Sequence, residues 1–174
     1  MPFQVFLFVA LSFVAAIFGF FYAWVCSTMW GLDQLPASTA IEAMNAMNRS
    51  VRNVVFAPAF FGTPIILGAV GVWGYMLGKR PTALWLIAAT LVYLVGAFLP
   101  TIMVNVPMNQ ALMLTDMARD NAALQQVWGD YSSRWQVWNI ARTVASGLSL
   151  LMVGAGMMVY RPLVASPQAA KSGL

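Results

Sequence analysis

The chain has 174 residues, of which 61% are hydrophobic and 8% charged, where an ordinary soluble domain carries roughly 25% charged residues. A water-soluble fold of this size could not hide so much apolar surface, so composition excludes a soluble protein and implies a single membrane domain. The net charge of +4 is spread thinly and reads as a topology signal rather than a nucleic-acid footprint.

Crossing ~30 Å of hydrocarbon takes an apolar run of about 20 residues, and the sequence holds four such runs. The first runs from Phe3 to about Trp30. It opens without Lys or Arg, is too long for a signal peptide and precedes no clear small-x-small cleavage site, so a retained helix is expected. Within it Ala15, Gly19 and Ala23 recur every four residues, a spacing that predicts close helix packing in lipid. In the segment 31–53 that follows, Thr39 and Glu42 are spaced as a capping box. Ile41, Met44, Met47 and Val51 then form one helical stripe, with Glu42, Asn45, Asn48, Arg49 and Arg52 around it. That pattern predicts a short amphipathic helix on the membrane surface or over the bundle.

The second run, about Val54 to Leu77, ends in Gly74 and Gly78 at small-xxx-small spacing, close to Gly68 and Gly71. A short turn with Lys79 and Arg80 leads to the third run, Ala83 to Val104. Beyond it Pro107 removes a backbone donor, so a helix there should bend or stop and open a cavity. In the segment 105–139, Leu124, Trp128, Tyr131, Trp135, Trp138 and Arg142 are spaced 4, 3, 4, 3 and 4 apart, one continuous face. The fourth span, about Ile140 to Tyr160, is therefore expected to begin outside the bilayer near Asn121. Trp128 and Tyr131 read as an aromatic belt at the interface. The tail 161–174 carries Arg161 and Lys171 and no acid, whereas all five acids lie in the two longer connections. The positive-inside rule then places both termini and the Lys79–Arg80 turn in the cytoplasm, and segments 31–53 and 105–139 on the other side.

Chemistry is constrained as much by what is missing. Histidine is absent, which excludes His-ligated zinc or iron, bis-His haem and Ser-His-Asp catalysis. The single Cys26 forms no internal disulfide. No phosphate-binding glycine loop and no internal repeat of the transporter kind is present. Met44, Met47, Met103, Met108, Met113 and Met117 are soft donors suited to Cu(I), but they lack a tight ligand spacing and serve equally as packing. Polar residues at membrane depth are costly unless paired, and two groups stand out: Thr101, Asn105 and Asn109 around Pro107, and Trp135, Trp138, Asn139 and Arg142. Arg142 falls inside an apolar stretch and needs a carboxylate, carbonyls or an anionic ligand, with Asp116 and Glu42 as candidate partners. The alternative is that Asn105, Asn139 and Arg142 only lock helix ends together.

Three stretches carry a family resemblance: Leu35-Pro36 through AIEAMNAMN with Arg52-Asn53-Val54 and Gly62-Thr63, then NVPMNQALMLTD from Asn105 to Asp116, then WQVWNIART from Trp135 to Thr143. In that order they resemble the anthrone oxygenase-like family of small four-helix membrane proteins. The resemblance implies oxidation of anthrones to anthraquinones by molecular oxygen, without a conventional metal or flavin. It implies Trp135 and Trp138 stacking on rings, Arg142 facing an oxyanion, Asn105, Asn109 and Asn139 donating hydrogen bonds, and Asn48 and Asn53 joining the substrate-binding set. Many relatives carry His where this chain has Ile140, which leaves Asp116 as the candidate base and Glu42 behind it.

The expected protein is thus an all-α, multi-pass, four-transmembrane-helix bundle with short amphipathic helices outside the cytoplasm. Its expected partners are the lipid bilayer and a lipophilic aromatic small molecule, with no nucleic acid; no cofactor is expected beyond molecular oxygen as co-substrate, and the oligomeric state is left open. The leading function is a cofactor-independent oxidase or oxygenase of an anthrone- or hydroquinone-like substrate. The alternative is a non-catalytic protein that binds a lipid, a quinone or a partner subunit through the same cluster.

Overall fold

The computed structural model describes residues 2–161; the tail from 162 onward lies outside them, and with it the Lys171 part of the charge reading, while Arg161 is described. The elements are α1 Phe3–Leu32, α2 Ala37–Ser50, α3 Phe56–Met76, α4 Arg80–Met113 and α5 Asn121–Met158, with no strand among the described residues. All but α2 are long and apolar enough to cross a membrane. The chain is a multi-pass membrane protein.

The four long helices form a ring in which α1 packs on α3 and α5, and α4 packs on the same two. Spacing explains the seam. Phe3, Leu7, Ala10, Val14, Ile17 and Phe21 are buried, steps of 4, 3, 4, 3 and 4 that keep one face of α1 inward. Val5, Phe8, Ile65, Leu91 and Leu151 are more than half exposed, the surface of a bundle that meets lipid rather than water. Hydrogen bonds tie the ring where apolar packing alone gives little specificity. Thr82 Oγ1 donates to Gly156 O at 3.0 Å, Ser149 Oγ to Ala89 O at 2.9 Å, and Tyr93 Oη to Phe60 O at 3.1 Å.

The small-residue stripes serve other ends than expected. Gly19 has open space where a Cβ would stand, and Ala23 is exposed, so that stripe is not a packing face. Gly71 and Gly74 do meet neighbours closely: a Cβ at Gly74 would lie 2.9 Å from the Phe3 ring. Gly78 belongs to a turn. Its φ is +72°, and Lys79 N–H bonds to Gly74 O while Gly78 N–H bonds to Tyr75 O, a Schellman ending for α3. Gly78→Ala is expected to cost about 1 kcal/mol of stability, read as a lower melting temperature in detergent. An unchanged melting temperature would contradict that account.

Helix α4 has 34 residues and α5 has 38, about 51 and 57 Å at 1.5 Å per residue, so both reach well beyond the hydrocarbon. Their projecting ends, the end of α1 and the whole of α2 make a lobe with its own core, in which Met29, Ile41, Met44, Leu112, Leu124 and Trp128 are buried. α2 lies over the bundle. It starts directly after Pro36, whose carbonyl takes the Ala40 N–H at 2.9 Å, so Thr39 sits within the first turn and the expected capping box does not form. Asn48, placed by pattern on the polar side, is buried one turn beyond Met44. Trp128 and Tyr131, read as an interfacial belt, are buried in the lobe instead. The start of α5 is fixed by Asp120, whose carboxylate accepts the Ala123 N–H at 2.8 Å.

Pro107 does not stop α4. Pro100 and Pro107 each follow by two residues a wider turn, Leu94–Phe98 and Thr101–Asn105, in which an N–H reaches back five residues, Leu99 to Leu94 and Val106 to Thr101. The extra residue in each wide turn makes room for the proline ring, which would otherwise collide with the carbonyl one turn back. A third wide turn, Trp24–Thr28, lies in α1.

Candidate functional site

Between the bundle core and the lobe core lies a cavity of about 790 Å³, within the range of about 300–1,000 Å³ usual for small-molecule sites. Its walls come from α1, the end of α2, the start of α3, the wide turn of α4 and the middle of α5. Phe20, Phe21, Trp24, Phe56, Phe60 and Trp135 supply aromatic surface. Phe56 and Phe60 stack at 5.5 Å, and Trp24 meets Trp135 at 5.1 Å.

Arg142 is the charged group at the centre of this wall, only 4% exposed. Its neighbours are neutral. One Nη donates to Thr101 Oγ1 at 3.2 Å and the other to Asn139 Oδ1 at 3.0 Å, while Nε has no partner. Phe21 and Trp135 hold the guanidinium between their rings, 4.6 and 5.1 Å from its carbon. Neither Asp116 nor Glu42 reaches it. Asp116 is exposed in the connection before α5 and accepts the Ala118 N–H, and Glu42 is exposed on α2. The cavity lining contains two arginines, Arg52 and Arg142, and no acid.

The asparagines divide into two kinds. Asn139 is braced: its Nδ2 donates to Phe21 O at 3.0 Å, tying α5 to α1, and its Oδ1 holds Arg142. Asn109 is the hub of the lobe floor. Its Oδ1 accepts from Tyr131 Oη at 2.8 Å and Trp135 Nε1 at 3.0 Å, and its Nδ2 donates to Asn48 Oδ1 at 2.8 Å. Asn53 lines the rim, but its side chain caps α3: Oδ1 accepts the Val55 and Phe56 N–H groups, and Nδ2 bonds to Ser50 O. Asn105 differs from all of these. It is 1% exposed, lies in the wide turn of α4, and neither amide atom has a partner; Asn48 Nδ2 is likewise free. Buried polar groups of this kind cost roughly 1–3 kcal/mol each unless something meets them, and both side chains line the cavity.

Of the residues singled out from sequence, the cavity thus gathers Arg142, Asn105, Asn139, Trp135, Asn109, Asn48 and Asn53. Asp116 and Trp138 stand apart. The buried line of α5 runs through Tyr131, Trp135, Asn139 and Arg142, so its steps of 4, 4 and 3 leave Trp138 off the line and 37% exposed. Ile140 is 49% exposed and also lies off the cavity. Sequence reasoning missed the α1 wall, Arg52 as a lining residue, and Asp33. The Asp33 carboxylate takes Trp128 Nε1 at 3.0 Å, Ser132 Oγ at 2.7 Å and Gln136 Nε2 at 3.0 Å, clamping the end of α1 to α5.

The methionines do not form one cluster, since Met44 is buried in the lobe core while Met103 and Met117 are exposed. Among the described residues no three His, Cys, Asp or Glu side chains are placed to share a metal ion.

No curated protein and no solved structure matches the chain. A family profile described as anthrone oxygenase matches residues 53–152, which takes in α3, α4 and most of α5, including Asn105, Asn109, Trp135, Asn139 and Arg142. With that match over more than half its length, the chain belongs to the anthrone oxygenase family.

Proposed function

We propose that the protein is a membrane-embedded oxidase or oxygenase of a lipophilic aromatic that ionises to an oxyanion, an anthrone or a hydroquinone, with molecular oxygen as co-substrate and no bound cofactor. The observation that supports it most is the acid-free lining, which holds both a buried guanidinium with a free N–H and an unpartnered amide. A buried cation with no carboxylate is costly by itself and becomes favourable once an anion arrives.

An anthrone methylene is acidic because loss of its proton leaves a phenolate-like enolate. Arg142 would lower the energy of that anion at its oxygen, Asn105 would donate beside it, and the aromatic wall would hold the rings flat. The lining has no carboxylate and no imidazole, so on this reading the residues act on the anion and the proton passes to water. The electron-rich carbon then takes up oxygen. One anthrone and one O2 give one anthraquinone and one water: the methylene loses two hydrogens and gains one oxygen atom, and the second oxygen leaves as water. A hydroquinone would give a quinone and hydrogen peroxide.

The test is oxygen uptake by purified, chelator-treated protein with a panel of anthrones and hydroquinones. Uptake above the buffer rate on at least one substrate is expected, and background rates on all of them would overturn the reading. Because Ile140 points away from the cavity, Ile140→His should leave that uptake within twofold; a tenfold gain would show that the missing base belongs at this position after all. The alternative, a non-catalytic binding protein, draws on the structural bonds Arg142 and Asn139 make to α4 and α1. It predicts saturable binding of a quinol with no turnover.

The charge pattern further supports a lobe outside the cytoplasm, with Lys79 and Arg80 at the opposite end of the bundle. With Cys26 replaced by serine, Asp120→Cys should then react with an impermeant maleimide added to whole cells. Labelling only after lysis would reverse the topology.

A further inference from the structure

The cavity has a mouth, and its position can be set against the membrane. α3 has 21 residues, about 31 Å, which equals the hydrocarbon thickness, so its whole length is needed to cross. Phe61 lies five residues into α3, about 8 Å below the lobe-side boundary of the hydrocarbon. It lines the cavity and is yet 51% exposed. On α4, whose Phe98 ring meets that of Phe61 at 5.8 Å, Ile102 one turn further on lines the cavity and is 42% exposed. Ala57 and Pro58 complete the α3 edge, and Pro58 is exposed as well. The rim on this side is apolar and sits at a depth where the surroundings are acyl chains. Arg52 and Asn53, directly before α3, bound it at the level of the headgroups.

Inside, the arrangement is the reverse. Arg142 Nε and both amide atoms of Asn105 are buried without partners, and Asn105 is 1% exposed. A ligand matched to both ends has an ionisable oxygen at its head, a second polar atom close by to meet Asn105, and an apolar extension at the other end.

We propose that the cavity opens into the bilayer between α3 and α4 and takes alkyl- or prenyl-tailed phenols that carry a second ring oxygen, hydroquinones among them, whose head meets Arg142 and Asn105 while the tail passes out between Phe61 and Ile102. This deepens the reading of the cavity as a phenol or quinol site but does not need the oxidation step. The tail gains little by binding, because it rests in lipid before and after. Its effect is on which molecules fit: length beyond the ring is tolerated, and the cavity need not be large enough to hold the chain.

The test is binding to protein in phosphatidylcholine vesicles under argon, followed by saturable quenching of tryptophan emission, with hydroquinone and decylhydroquinone compared at equal mole fraction in the bilayer. Wild type is expected to bind the two within threefold of each other. Ala57→Phe, which fills the mouth from α3, should weaken decylhydroquinone at least tenfold and leave hydroquinone within threefold. Ile102→Phe does the same from α4 and covers the case in which the first variant does not fold. A wild-type protein that binds hydroquinone and rejects the tailed compound would overturn the proposal, as would variants that affect both ligands equally or neither. Absence of binding by either compound would overturn both this proposal and the oxidase reading. Tail-tolerant binding blocked at the mouth, without any oxygen uptake, would support the membrane opening and remove the oxidase reading alone.

Discussion

An Arg142→Met variant is expected to lose oxygen uptake by a factor of about 100 or more while melting at or above the wild-type temperature. The two halves of this result have one cause. The guanidinium is buried among Phe21, Trp135, Thr101 and Asn139 without a carboxylate, so these neighbours compensate its desolvation poorly. Methionine fills a similar volume and removes that penalty; the bonds lost are those to Thr101 and Asn139, worth about 1–3 kcal/mol apiece as charged-group hydrogen bonds. A substrate oxyanion, by contrast, would lose its only buried cation. Loss of uptake with a fold at least as stable, measured by oxygen electrode and by thermal melting in the same detergent, would support a site strained toward its ligand. Wild-type uptake in the variant would remove Arg142 from the chemistry, and a collapse of the fold would make it structural.

Asn109→Leu should do the opposite to stability. Removing that one amide leaves Tyr131 Oη, Trp135 Nε1 and Asn48 Oδ1 without their partner, under a lobe that largely excludes water. At about 1 kcal/mol or more for each stranded group, the loss is about 3 kcal/mol, read as a lower melting temperature. Activity should fall as well, because Trp135 forms part of both the aromatic wall and the seat of Arg142. Asn109→Asp keeps the acceptor for Tyr131 and Trp135 and should recover most of the stability. An Asn109→Leu protein as stable as wild type would mean that water or a rearranged Asn48 replaces the amide at no cost.

Those two residues also show what could be read from sequence. Trp135, Asn139 and Arg142 lie on one helix at spacings of 4 and 3, so periodicity alone joined them. The juxtaposition of Asn48, Asn109 and Tyr131 was not legible in the same way, because it depends on how α2 is laid across α4 and α5. The role of Asp33 is hidden for the same reason: its partners Trp128, Ser132 and Gln136 are 95 to 103 residues away in sequence. Trp128 and Tyr131 are buried where an interfacial belt is expected, because an aromatic anchored in headgroups and one buried beneath a cap leave the same trace in sequence. Trp138 falls one residue off the buried line, since a straight helix keeps Trp135 in line with Asn139 as readily as with its neighbour. The capping box failed through a local competitor, Pro36, whose fixed φ starts the helix before Thr39 can cap it.

The wide turn Thr101–Asn105 makes the length of α4 a matter of register. Each such turn holds one residue more than the α-helix around it requires. Deleting a single residue there would restore regular α-helical bonding and look harmless by any measure of helix propensity. It would leave the helix beyond it in nearly its present phase, with Asn109 still facing Asn48, Tyr131 and Trp135, but would set the Pro107 ring against the carbonyl four residues back. The extra residue thus gives this helix room for a proline rather than a different face, and a related chain with a gap between residues 101 and 105 is expected to lack the proline while keeping the wiring of the lobe.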